Sequence, residues 1–178
     1  MRTPLTKFLV FLCLISFAFL NAQSLTATIA APVQSSLSEN NHKILLAAVK
    51  AAQLDSILIK SGPFTVFAPS DAAFERFSNT RIEELINAQD KSELKSLLKY
   101  HIVAGHLTAS RILRAMCRGN GKASFTTIQG KKVIAHMEGY DIVLTDPTGN
   151  TARITAADRN LENGIIHEID SVIQPTRM

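Results

Sequence analysis

The side chains that could begin chemistry in this chain are few and badly spaced for it. His101 and His106 stand five apart, which puts them on different sides of a helix rather than on the single face a zinc site uses. His167-Glu168 lacks the second histidine of H-E-x-x-H, and no G-x-S-x-G elbow occurs. Gly119-Asn120-Gly121-Lys122 has neither the spacing of a phosphate loop nor the Ser or Thr that must follow its lysine. Asp141, Asp146 and Asp158 can be drawn as pairs of sugar-hydrolysing acids, but spacing prefers none of the pairings. Cys117 falls on the inner edge of a helix, where it is expected to pack rather than react. The expectation is a protein that is not an enzyme, with no catalytic residue, metal or cofactor.

What does gather is positive charge. Residues 99–132 carry Lys99, Arg111, Arg114, Arg118, Lys122, Lys131 and Lys132 with no acid among them, whereas residues 133–178 carry three bases against seven acids. Such asymmetry steers a polyanion toward one face, whether an anionic glycan or the lipid of a cell envelope. No aromatic residues interleave with these bases to stack on nucleotides, so a nucleic-acid partner is not expected. The plain alternative is a solvated surface with no partner.

The elements that must position these residues are short. Asn40-Asn41 is the expected cap of a helix running through HKILLAAVKAAQLDSIL; at about 100° per residue its apolar side chains share one broad face, with Lys43, Lys50 and Gln53 opposite. Ser61-Gly62-Pro63 stops it, a strand follows over 64–68, and Ser70-Asp71 caps a turn carrying Phe74 and Phe77. Thr80 with Glu83 and Asp90 with Glu93 read as capping boxes of two more helices, the second turning Leu94, Leu97 and Leu98 inward. Thr108 opens the helix ASRILRAMCR. Arg111, Arg114 and Arg118 lie within about 60° of one another on it, opposite Ala109, Ile112, Leu113 and Met116. After Gly121 the pattern becomes short, largely antiparallel strands over 125–128, 132–136, 141–145, 151–155 and 165–173, separated by turn residues. On the last of these Ile165, His167, Ile169 and Ile173 share a face, so His167 is expected to be a buried, hydrogen-bonded core histidine.

Arg2 and Lys7, the apolar run 8–20 and the small residue in Asn21-Ala22-Gln23 have the three parts of a secretory signal. Residues 1–22 are therefore read as a signal peptide and 23–178 as one domain. Removing the signal takes Cys13 with it, so Cys117 has no partner for an internal disulfide, and the formal charge falls from +4 to +2. No later run reaches the roughly 18 apolar residues of a membrane span.

The segment Gly62-Pro-Phe-Thr-Val-Phe-Ala-Pro-Ser-Asp71-Ala-Ala-Phe74 resembles the first signature box of the fasciclin-type (FAS1) family. Lys99-Tyr100-His101 is similar to the family's tyrosine-histidine motif, and Asn163-Gly-Ile-Ile-His167-Glu-Ile-Asp170-Ser-Val-Ile173-Gln-Pro175, preceded by Ala157-Asp158, to its second box. Residues 24–41 and 159–162 fit the pattern less well. The resemblance implies an α+β fold, a fasciclin-like β-sandwich or wedge with a packed layer of short helices. It also implies a secreted or surface-attached protein that takes part in adhesion to cells, matrix proteins or carbohydrates. Together with the signal and the charge layout, the expected location is secreted, periplasmic or cell-surface, and the expected partners are carbohydrate, envelope lipid or extracellular protein. Phe67, Pro69, Asp71, Phe74, Asn163, Gly164 and His167 would then be structural. Tyr100 and His101 would be candidates for partner contact, although an aromatic packed on the core beside an imidazole tying down loop carbonyls is the cheaper reading. A second function is compatible with the same fold: an extracellular carrier holding a small apolar ligand, a lipid or pigment, between helices and sheet. The signal makes a first prediction. The intact mass of the exported protein should lack residues 1–22, and a full-length product retained in the cytoplasm would refute the assignment.

Overall fold

Strand residues alternate between two faces, and two strands here are apolar on both, which fixes them in the middle of the molecule. In the computed structural model the described residues are 41–54, 62–161 and 163–175. The signal segment, the leader 23–39, Asn40 and the end of the first expected helix lie outside them. In chain order the elements are α1 (Lys43–Ala51), β1 (Phe64–Pro69), α2 (Asp71–Asn87), α3 (Ser92–Tyr100), β2 (Ile102–Ala104), α4 (Ala109–Arg118), β3 (Lys122–Thr126), β4 (Lys132–Glu138), β5 (Asp141–Thr145), β6 (Thr151–Leu161) and β7 (Gly164–Ile169).

The strands form one sheet in the order β2-β1-β7-β6-β5-β4-β3. Every pairing is antiparallel except β1 with β7, whose six residue pairs run parallel from Phe64↔Gly164 to Pro69↔Ile169. The two ends of the order meet. Val103 bridges Thr127, and the Ile128 N–H donates to the Ile102 carbonyl at 2.8 Å. The sheet is thus curled and nearly closed rather than split into two flat layers, and short helices wrap it in the α+β arrangement expected. β6 makes the curl by serving both halves: Thr151–Arg153 pair with β5, and from Ile154 on the strand pairs with β7 through two register shifts. The poorly fitting residues 159–161 belong to this strand, which runs well past the expected end at 155.

Alternation sorts the core into two clusters. Phe64, Val66, Ala68 and Ile166 face the helices and pack with Leu45, Phe74, Ile82, Leu94 and Leu98. Phe67 and Ile169 face the inside of the curl with Tyr100, Val103, Ile112, Met116, Val133, Leu144 and Ile173. His167, fully buried on this inner side, stacks on Phe67 with ring centroids 5.7 Å apart.

Three caps differ from the sequence reading. The first turn of α1 is capped by Asp71, whose carboxylate accepts from the N–H groups of Ile44 (2.9 Å) and Lys43 (3.2 Å), while Asn41 supplies only its carbonyl, to the Asp71 N–H. α2 breaks at Ser78 (φ 139°, ψ 107°), and the Ser78 hydroxyl, not Thr80, receives the Arg81 N–H at 3.3 Å. Asp90 does cap, taking the Ser92 N–H at 2.8 Å, but Glu93 turns away to pair with Arg81. Ser70 caps α2 as expected, with its hydroxyl accepting from Ala73. Behind these caps His42 is buried, donating through Nδ1 to the Pro69 carbonyl (3.1 Å) with Nε2 3.2 Å from the Glu168 carboxylate.

Tyr100 and His101 are core residues, 0% and 3% exposed. The Tyr100 hydroxyl donates to the Lys132 carbonyl (2.8 Å), and burial pushes its pKa well up. His101 Nδ1–H donates to the Leu97 carbonyl (2.9 Å) while Nε2 accepts from the Ile173 N–H (3.3 Å). A partner cannot touch either side chain while the fold is intact, so the direct-contact role considered for them gives way to the core reading. Being cut off from water, and despite the opposing pull of Leu97 and Asp146, the His101 imidazole is held down at about 4. His167 is also lowered by burial, against the hydrogen bond to the Leu107 carbonyl and the charge of Asp158.

Two predictions follow from this core. An unfolded chain takes up protons on both imidazoles from about pH 6.5, whereas the folded His101 refuses one until about pH 4; the stability these neutral rings retain is whole above 6.5 and is lost as pH falls toward 4. Urea midpoints should therefore begin to drop below about pH 6.5, ahead of the carboxylates, and a flat profile from pH 7 to 5 would contradict it. Gly164 sits so close to β1 that a Cβ would lie 2.2 Å from the Phe64 carbonyl oxygen. Gly164→Ala should cost about 1–3 kcal/mol or more in a denaturant melt, and an unchanged midpoint would show that the two strands are not held at this separation.

Candidate functional site

The basic residues found in the sequence stand on or beside α4, and the polar core described above holds that helix in place. Thr108 caps it, its hydroxyl accepting from the Arg111 N–H at 3.2 Å. A second cap comes from a distant strand: Asp158, in a bulge of β6 at φ 61°, accepts the Ala109 N–H at 2.8 Å. Aspartate tolerates this left-handed conformation better than most residues do. The Asp158 N–H in turn donates to His167 Nδ1 (3.3 Å), and His167 Nε2–H donates to the Leu107 carbonyl (2.7 Å). Thr65 completes the anchor, its hydroxyl donating to the Gly105 carbonyl (2.6 Å) and accepting from the Leu107 N–H (2.8 Å). One buried imidazole thus fixes both the loop before α4 and the carboxylate over its first turn.

Below the helix Ile112 and Met116 are buried in the inner cluster. Above it Arg111, Arg114 and Arg118 are exposed. Among the described residues no ion pair involves any of the three; the Arg111 guanidinium donates to the His106 carbonyl at 2.6 Å. Two expectations for this helix fail. Leu113 is 39% exposed and Cys117 is exposed, because only the narrow line through Ile112 and Met116 meets the sheet and these two, one turn apart, stand on its flank.

Register also divides the basic run. Lys122 pairs across β3–β4 with His136, and Lys132 with Thr126. These positions share the outer face of the ribbon with Ser124 and Ile134, whereas Ala123, Val133 and Ala135 point inward to the cluster that α4 covers. Lys122 and Lys132 therefore lie across the ribbon from the arginines; Lys131, in the turn before β4, is exposed.

The three aspartates weighed as acid pairs each have separate work. Asp141 pairs with Arg153, and Asp158 caps α4. Asp146 organises a turn: burial opposes its ionisation, but hydrogen bonds from Thr148, Gln174 and Asn150 together hold its carboxyl below the ordinary range. Among the described residues no three His, Cys, Asp or Glu side chains converge as metal ligands, and no helix is long and apolar enough to cross a membrane. Sequence reasoning did not find Asp158 as the second cap or Thr65 as an anchor, since both act on residues some 40 or more positions away.

Comparison with known proteins agrees with this geometry. The family model described as the fasciclin domain matches residues 40–175. Protein sll1483 of Synechocystis is 30% identical over 154 residues, covering 86% of this chain and 78% of that protein. A second Synechocystis protein, sll1735, is 33% identical over 142 residues, covering 79% of this chain and 95% of its own. Among solved structures, a FAS1 domain pair from the insect cell adhesion molecule fasciclin I superposes with a TM-score of 0.57 at 26% identity, covering 76% of this chain. This chain spans 46% of that one, about half of the pair. With both signature boxes on the paired central strands and the match running through nearly all the described residues, the chain belongs to the fasciclin (FAS1) domain family.

Proposed function

We propose that this FAS1 domain works outside the cytoplasm as a non-enzymatic adhesion or ligand-binding module, and that α4 offers its contact face to an anionic glycan or envelope surface. The observation that carries the reading is the set of three exposed arginines, unpaired among the described residues, on a helix whose opposite side is locked into the core. With no acidic partner among the described residues the three guanidiniums keep their charge available to a polyanion, and the flanking Leu113 adds an apolar contact at the same surface. Family membership supports the module class, and the name of the fasciclin I relative supports adhesion. The signal read in residues 1–22 supports the location.

The test is retention on immobilised anionic polysaccharide and, separately, on anionic lipid vesicles across a salt series. Changing Arg111, Arg114 and Arg118 together to Glu should leave the melting curve nearly in place, since exposed charges contribute about 0.5 kcal/mol or less each. Wild-type retention should weaken steeply with salt and disappear in the triple variant. Replacing Lys122 and Lys132 by Glu, across the ribbon, should weaken it less. If wild type and triple variant are retained alike, or neither is retained at low salt, the arginine face is only a solvated surface.

A further inference from the structure

The helical layer leaves a cleft of about 760 Å³ between α2, α3, the β3–β4 turn and residues Gln174 and Pro175. That size lies within the range of roughly 300–1,000 Å³ for small-molecule sites. The geometry points to this cleft as a binding site for a small uncharged amphiphile, an apolar body carrying a hydroxyl or N–H group that bonds to Gln129. The site is separate from the arginine face, because no residue of α4 lines it.

Apolar walls come from Phe77, Leu85, Leu97 and Pro175, which select an apolar body. The charges lining the cleft cancel: Arg81 and Glu93 are paired with each other, so a charged ligand gains no free counter-ion from them. Specificity then falls to Gln129. A carboxamide has two donor hydrogens and an acceptor oxygen with two lone pairs. Here its Nε2 makes one hydrogen bond, to Ser96 Oγ at 3.2 Å, and its buried Oε1 has no partner among the described residues. Exchanging the amide ends leaves the deficit in place, since the Ser96 hydroxyl can serve either end and the other stays unmatched. The terminal torsion of glutamine is soft, so the side chain can turn its free group into the cleft, and a hydroxyl or N–H there makes the bond the fold leaves unmade. The backbone beside it is also unusual. Ser78, at φ 139°, lines the cleft at the break in α2 that sets Phe77 and Arg81 on its wall, and strained backbone of this kind persists where the surroundings hold it. The carrier function considered from sequence thereby acquires a place and a ligand class.

A matched pair of fluorescent probes tests it on the exported protein: N-phenyl-1-naphthylamine, which has apolar rings and one N–H, and its N-methyl derivative, which has none. Wild type should bind the first saturably at one site and at least about fivefold more tightly than the second. Gln129→Leu should bring the two affinities together, and Ser96→Trp, which fills the cleft, should remove both. Should the tryptophan variant fail to fold, the leucine variant still decides through the ratio. Non-saturable binding, or an N–H preference that survives Gln129→Leu, overturns the site, as does a folded Ser96→Trp protein that binds like wild type. Arg111, Arg114 and Arg118 are unchanged throughout, so loss of this site and loss of the arginine face are read independently.

Discussion

The architecture hangs on the parallel contact between β1 and β7, two strands a hundred residues apart that approach closely enough to exclude a single Cβ at Gly164. Both strands are buried on both faces, so apolar material must lie on each side of them. The helices α1 to α3 supply it on one side, and the curl of β3 to β6 with α4 supplies it on the other. The two segments that resemble the family's signature boxes include these two strands. Their sequence is set by packing and close approach rather than by chemistry at a surface.

Much of this was legible where the deciding interaction is local. Thr108 announced α4 because an N-cap reaches only three residues, and β5 is bounded by turns that leave it no other length. The inward set Leu94, Leu97 and Leu98 followed from helical period alone. The failures share a cause in distance. Asp71 and Asn41 compete for one helix terminus, and only the return of the chain 28 residues later puts the carboxylate there. Ser78 and Thr80 carry the same hydroxyl, so nothing nearby tells which of them ends the first half of α2. The length of β6 depends on bulges that let Arg159, Asn160 and Leu161 find partners on β7. Leu113 looked internal because an amphipathic pattern shows which side is apolar, not how deeply the helix sinks.

At the candidate face, the arginines were visible in sequence but their separation from the lysines was not. A run of like charges in one dimension becomes two surfaces once a hairpin register places alternate residues on opposite sides. The polar groups inside the molecule tell the complementary story. His42, His101, His167 and Asp146 are each tied to backbone groups of distant elements, so the chain's titratable chemistry is largely consumed in holding loops and helix ends. Arg111, Arg114 and Arg118, by contrast, are exposed and take part in no ion pair among the described residues.

The bridge between Val103 and Thr127 has a consequence for how copies of this chain can meet one another. An open sheet ends in two rows of unpaired N–H and C=O groups, and each row is a template on which another copy can grow by strand addition. Here the two end strands are short, three and five residues, and are turned toward each other so that they begin to satisfy one another. The curl that shapes the core thereby also shields the backbone most able to template strand addition, the two end strands of the sheet.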